Sequence, residues 1–143
     1  MSSNPFHVLV VEDDPKDVER LQRAFDSLGM QDAMRGVTRL EAAIDYLSGR
    51  GPYENRTLYP MPGLILISLA ISRKAEFTFL KWLRQQTRLK LIPVVMLAAA
   101  REPVGFEQAS ELGAVTYLVK PIEPEALQSM VKAVLTYWTL NQV

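Results

Sequence analysis

The sequence predicts an α/β domain with a doubly wound parallel sheet. Three observations carry that prediction. Five short apolar runs, at residues 7–11, 33–37, 64–67, 93–97 and 115–119, recur along the chain. Segments with apolar residues at helical spacing separate them. Gly, Pro and Asp punctuate the junctions. A strand buried on both faces reads as a continuous apolar run, and parallel strands need crossovers, which the intervening helices supply. The length of 143 residues suits one domain, 1–143.

The elements follow in order. His7-Val8-Leu9-Val10-Val11 is β-branched and apolar, a buried strand. Asp14 then offers a helix N-cap and Pro15 a proline at the first helical position. Val18, Leu21, Phe25 and Leu28 share one helical face, and Gly29 ends that helix. Ala33 to Val37 reads as a weaker strand. Thr38-Arg39-Leu40-Glu41 matches a capping box opening a helix with Leu40, Ile44 and Leu47 on one face. Residues 49–62 hold two Gly and three Pro and form a long loop. Leu64 to Ile67 is the most apolar strand, followed by a helix carrying Phe77, Leu80, Trp82 and Leu83. Pro93 to Leu97 is a strand. Glu102-Pro103 starts a helix running to about Leu112, with Gly113 as its stop. Val115 to Val119 is the fifth strand, closed by Pro121, which cannot donate to a ladder. Pro124 opens a last helix with Leu127, Met130, Val131, Val134, Leu135 and Trp138 inward.

Composition removes several classes. Sixteen Lys plus Arg balance sixteen Asp plus Glu, so the chain is not built to coat nucleic acid or anionic lipid. With no Cys there is no disulfide, Cys-based zinc site or thiol nucleophile, which is compatible with a cytoplasmic protein. The start Met1-Ser2-Ser3-Asn4-Pro5 has neither a basic nor an apolar signal region, and the longest apolar runs fall far short of a membrane span. Charge is uneven, however. Residues 12–32 hold seven acids against three bases, and residues 73–90 hold six bases against Glu76. The basic segment reads either as a solvated helix face or as a contact for an acidic partner surface.

In such a sheet, ligands bind beyond the carboxyl ends of the strands. Glu12, Asp13 and Asp14 follow the first strand, Ser68-Leu69-Ala70 the third, Ala98-Ala99-Ala100 the fourth, and Lys120-Pro121 the fifth. Acids facing a lysine suit Mg²⁺ and a phosphoryl group, since hard oxygens bind the metal and the ammonium steadies phosphate charge. The same residues also read as an acidic helix N-terminus with a lysine in a salt bridge. His7 is structural or exposed, and Trp82 and Trp138 belong to the core.

Val8 to Pro15, Leu64 to Leu69, Ile92 to Ala99, Glu111-Leu112-Gly113-Ala114 and Tyr117-Leu118-Val119-Lys120-Pro121 together resemble the receiver domain of two-component response regulators over about residues 6–138. The loop from Gly51 to Pro62 is similar to that of stand-alone receivers associated with phytochrome-type kinases, and no effector domain is expected after Trp138. The resemblance implies a flavodoxin-like sheet of order 2-1-3-4-5. It also implies an aspartate after strand three that takes a phosphoryl group from a phosphohistidine. Glu12, Asp13 and the Ala70 carbonyl match the Mg²⁺ ligands. Lys120 matches the phosphate-pairing lysine and Tyr117 the aromatic switch residue.

Two positions depart from the family pattern. Ser68 stands at the phosphoacceptor aspartate and Ala98 at the switch Ser or Thr. The loop after strand three carries Ser72 and Ala75-Glu76 where Pro and Asp-Gly are usual. A carboxylate is already anionic; a serine hydroxyl attacks phosphorus only after a base removes its proton. The expectation is therefore a degenerate receiver that acts as a protein-interaction module, not an enzyme. It has no cofactor beyond weak Mg²⁺, and Lys120 pairs with Glu12 or Asp13. Its partners are a histidine kinase or another regulator, with homodimerisation through 102–138. The alternative is a working receiver phosphorylated at a non-standard acid such as Asp13 or Asp14. A flavodoxin-like cofactor binder or enzyme would need a phosphate-cradling loop after strand one, where three acids stand instead.

Overall fold

A computed structural model describes residues 6–67, 73–98, 114–119, 123, 125–126, 128–130, 132–133 and 136. Its elements are β1 (Val8–Val11), α1 (Pro15–Ser27), β2 (Met34–Val37), α2 (Leu40–Ser48), β3 (Leu64–Ile67), α3 (Arg73–Arg84), β4 (Val94–Ala98) and β5 (Ala114–Val119), with a 3-10 turn at Gly51–Tyr53. All strands are parallel, in the order β2-β1-β3-β4-β5. This is the flavodoxin-like arrangement expected. The helix expected over 102–112 lies outside the described residues. Helical residues between 125 and 136 agree with a last helix after Pro124.

The sheet is covered on both faces, and strand alternation decides what each face holds. Leu9, Val11, Ile65, Ile67, Val94 and Met96 point into one core layer, against Tyr46 and Leu47 of α2 and Phe79, Leu80 and Leu83 of α3. Val8, Val10, Leu64, Leu66, Val95 and Leu97 point into the other, against Leu21 and Phe25 of α1 and Met130 of the last helix. Gln128 also donates to the Ser27 hydroxyl of α1 at 3.1 Å. β1 and β3 are buried at every position, so each of their side chains contributes on the order of 1.5–3 kcal/mol. β2 is an edge strand with mixed exposure, which explains its weaker apolar signal. Trp82 is half-buried against the first layer. His7 is buried, so it is a structural residue.

The two helix starts differ. At α1 the side chain of Asp14 accepts from the Lys16 amide at 2.9 Å and Pro15 occupies the first turn, as expected. Leu28 is the C-cap, and Gly29 follows at φ 73°, a left-handed conformation that glycine adopts without cost. At α2 the expected capping box does not form. The N-cap is Arg39, in extended conformation, with no side-chain cap bond. The helix begins one residue later than Thr38 would require, with Leu40 and Ala43 buried in its first turn.

Candidate functional site

The functional end of a parallel sheet is its carboxyl edge, and register fixes which residues gather there. Val11 pairs with Ile67 and with Val37, and Ala98 pairs with Val119. The ends of β2, β1 and β3 thus lie side by side, as do those of β4 and β5.

Glu12 leaves β1 while still tied to the sheet: its amide donates to the Val37 carbonyl at 3.0 Å. Its side chain is only 2% exposed, an unusual position for a carboxylate. The Asp14 amide donates to Glu12 Oε2 at 3.0 Å, which folds the β1–α1 turn around that carboxylate. Asp13 is exposed between them. Asp14 is exposed too, but its carboxylate is occupied as the helix cap, and its carbonyl accepts from the Val18 amide at 3.0 Å. Asp17 adds negative charge in the first turn of α1, where the helix dipole favours it. The three adjacent acids are therefore three different environments: a buried carboxylate, an exposed one, and a helix cap.

The remaining expected groups divide. Ala98 is the last residue of β4, and Tyr117 lies in β5 opposite Met96. Ser68, Ala70 and Lys120 lie outside the described residues. Glu12 and Asp13 supply the hard oxygen donors that suit Mg²⁺. Among the described residues no group of three or more His, Cys, Asp or Glu is placed to hold a metal ion.

A second constellation, which periodicity did not foreshadow, occupies the loop before β3. Tyr46, Tyr53 and Tyr59 pack with ring centroids 5.1–5.9 Å apart, two of the three pairs edge to face. The Tyr46 hydroxyl donates to the Pro60 carbonyl at 2.9 Å. Arg56 lies 5.8 Å from the Tyr46 ring centroid and donates to the Leu47 and Tyr59 carbonyls, each at 3.0 Å. Burial pushes the Tyr46 phenol above its ordinary value of 10.0, against the opposing pull of Arg35 and Arg56. The signal was present as three tyrosines and an arginine, but only tertiary packing reveals their convergence.

A parallel sheet of order 2-1-3-4-5 with a buried and an exposed acid at the end of its first strand defines a class, the doubly wound α/β domains that gather their chemistry at the carboxyl ends of the strands. Comparison with known proteins makes this specific. Residues 8–132 match the response regulator receiver domain family, and the chain belongs to that family. The chain is 29% identical over 140 residues to the probable methanogenesis regulatory protein FilR2 of Methanothrix harundinacea, covering 96% of this chain and 86% of that one. It is also 29% identical over 137 residues to the response regulator Rcp1 of Synechocystis, covering 96% and 91%. The structure of the Mn²⁺-bound form of Rcp1 aligns with a TM-score of 0.75 over 94% of each chain. The bacteriophytochrome response regulator RtBRR aligns with a TM-score of 0.77 at 29% identity, covering 92% of this chain and 78% of that one. The chain spans about half the length of the longer curated relatives it matches. It is thus a receiver domain of two-component signalling. Among the described residues no helix is long and apolar enough to cross a membrane.

Proposed function

We propose that this receiver signals by binding, without forming an aspartyl phosphate. The observation that carries the reading is Ser68, a neutral alcohol at the position matching the family's phosphoacceptor. Ala98 supports it: a methyl group cannot hydrogen-bond a phosphoryl oxygen. Glu12 and Asp13 remain as a pair able to hold Mg²⁺ weakly with the Ala70 carbonyl. Lys120, with no acyl phosphate to meet, pairs with one of those acids. The module works in the cytoplasm as a non-enzyme. Its partners are a histidine kinase or another regulator, and two copies associate through residues 102–138. Asp14 Oδ1 is engaged as the α1 cap, which gives that carboxylate a structural role without chemistry. Asp13 and Asp14 are both exposed.

The test is incubation with acetyl phosphate and Mg²⁺, followed by intact mass under conditions that preserve acyl phosphates. The expected result is no added phosphoryl group. A stoichiometric gain of one, lost on substitution of Asp13 or Asp14 to Asn, establishes the alternative acceptor and overturns the proposal.

A further inference from the structure

The groove at the opposite end of the domain offers chemistry that the receiver pocket does not use. It is about 540 Å³ in volume and is bounded by the end of α2, the loop before β3 and the turn after α3. Helices α2 and α3 return antiparallel to the strands, so their carboxyl ends lie at the amino edge of the sheet, away from Glu12 and Asp13. Leu47 and Leu89 give the groove a buried apolar floor, and Met61, 44% exposed, forms an apolar wall. Arg56 and Arg88 bring two positive charges against Glu54, the sole acid of the lining.

Arg56 is held in place, which separates this groove from an ordinary basic surface. The Leu47 and Tyr59 carbonyls and the Tyr46 ring fix its guanidinium, and the fork has donors beyond those two bonds. A pre-positioned arginine loses little side-chain entropy on binding an anion. Arg88 lines the same groove, and Arg84, Arg88 and Lys90 are exposed and form no ion pair among the described residues. Leu91, in the same turn, is 76% exposed. Positive charge around an apolar floor complements a peptide with one apolar anchor flanked by carboxylates.

We infer that this groove is a docking site for an acidic, leucine-anchored peptide segment of a partner protein. The receiver pocket takes no part, so the site operates whether or not residue 68 can be phosphorylated.

The probe is a fluorescein-labelled synthetic peptide with a central leucine flanked by glutamates, titrated with the full chain at low ionic strength. Saturable binding is expected, with amide chemical-shift changes confined to residues 47–61 and 86–91. Arg88→Glu and Met61→Glu should each weaken it at least tenfold. Lys132→Glu, which makes the same charge change on the last helix, should leave it within twofold. Raising salt from 50 to 200 mM should weaken binding several-fold, since the rim charges are solvent-exposed. Equal weakening by Lys132→Glu, or shifts spread over every basic surface, overturns the inference in favour of unspecific attraction. Absence of binding overturns it as well. So does self-association of the chain abolished by Arg88→Glu, or binding to vesicles containing phosphatidylglycerol without binding to the peptide; these would assign the groove to a second copy or to a lipid surface.

Discussion

The Tyr46 hydroxyl and the Pro60 carbonyl, fourteen residues apart, are joined by a hydrogen bond of 2.9 Å. It ties the buried face of α2 to the end of the loop that leads into β3. Removing the hydroxyl leaves a half-buried carbonyl without its donor and keeps the ring in the core. Tyr46→Phe should therefore cost about 1 kcal/mol in urea unfolding.

The same residue gives a pH dependence of known sign. Its phenol is raised above 10.0 by burial, so the folded state holds the proton more tightly than the unfolded chain. The associated stability is complete below pH 10 and is lost as pH rises through the folded value. Urea midpoints measured from pH 9 to 11 should fall more steeply for the parent than for Tyr46→Phe. Identical slopes would show that Tyr46 does not titrate differently in the two states.

Asp14 caps α1 by accepting from the Lys16 amide. Asp14→Ala should destabilise by about 1 kcal/mol, while Asp14→Asn, which keeps an acceptor, should remain within a few tenths. Neither should change any response to acetyl phosphate. Thermal unfolding of the two variants reads the cap, and intact mass after acetyl phosphate reads a chemical role, because a phosphoacceptor would tolerate neither substitution.

How much of this was legible from residue order depends on the range of the interaction. β1 and β3 were readable because a strand buried on both faces has to be apolar throughout, as Leu64-Ile65-Leu66-Ile67 is. The start of α1 was readable because Asp14 and Pro15 act on neighbouring amides. The start of α2 was not: Thr38 and Glu41 have the spacing of a capping box, yet the helix is entered at Leu40 from an extended Arg39 that makes no side-chain cap bond. The acidic pair could be named from sequence, yet not its division into buried Glu12 and exposed Asp13, which follows from the Val37 and Asp14 contacts. The tyrosine–arginine clamp was hidden because Tyr46 and Tyr59 meet only when the loop folds back on α2.

The proposed receiver pocket has its own substitution test. With residue 68 in the proposed pocket, Ser68→Asp would add a third carboxylate to the acid pair and should raise Mg²⁺ affinity about tenfold, or ~1.4 kcal/mol, as measured by calorimetric titration. Signalling should stay poor, since Ala98 still offers no hydroxyl. An unchanged Mg²⁺ affinity would remove residue 68 from the pocket and with it the basis for reading the receiver as degenerate.

Two glycines allow the Arg56 clamp to be weighed against backbone conformation alone. Gly29 and Gly49 both follow or cap a helix in the left-handed region, at φ 73° and 68°. A Cβ at Gly29 would meet nothing within 4 Å, whereas one at Gly49 would stand 3.2 Å from Arg56 Nη2. Gly29→Ala should therefore cost only the left-handed penalty, roughly 1–2 kcal/mol. Gly49→Ala should cost about 1 kcal/mol more, because the guanidinium has to shift and strain its bonds to the Leu47 and Tyr59 carbonyls. In an Arg56→Ala background the two glycine substitutions should become equivalent, which a double-mutant cycle in urea reads directly. Persistence of the excess at Gly49 without Arg56 would mean that the crowding comes from elsewhere in the loop, and the clamp would lose its role in holding that turn.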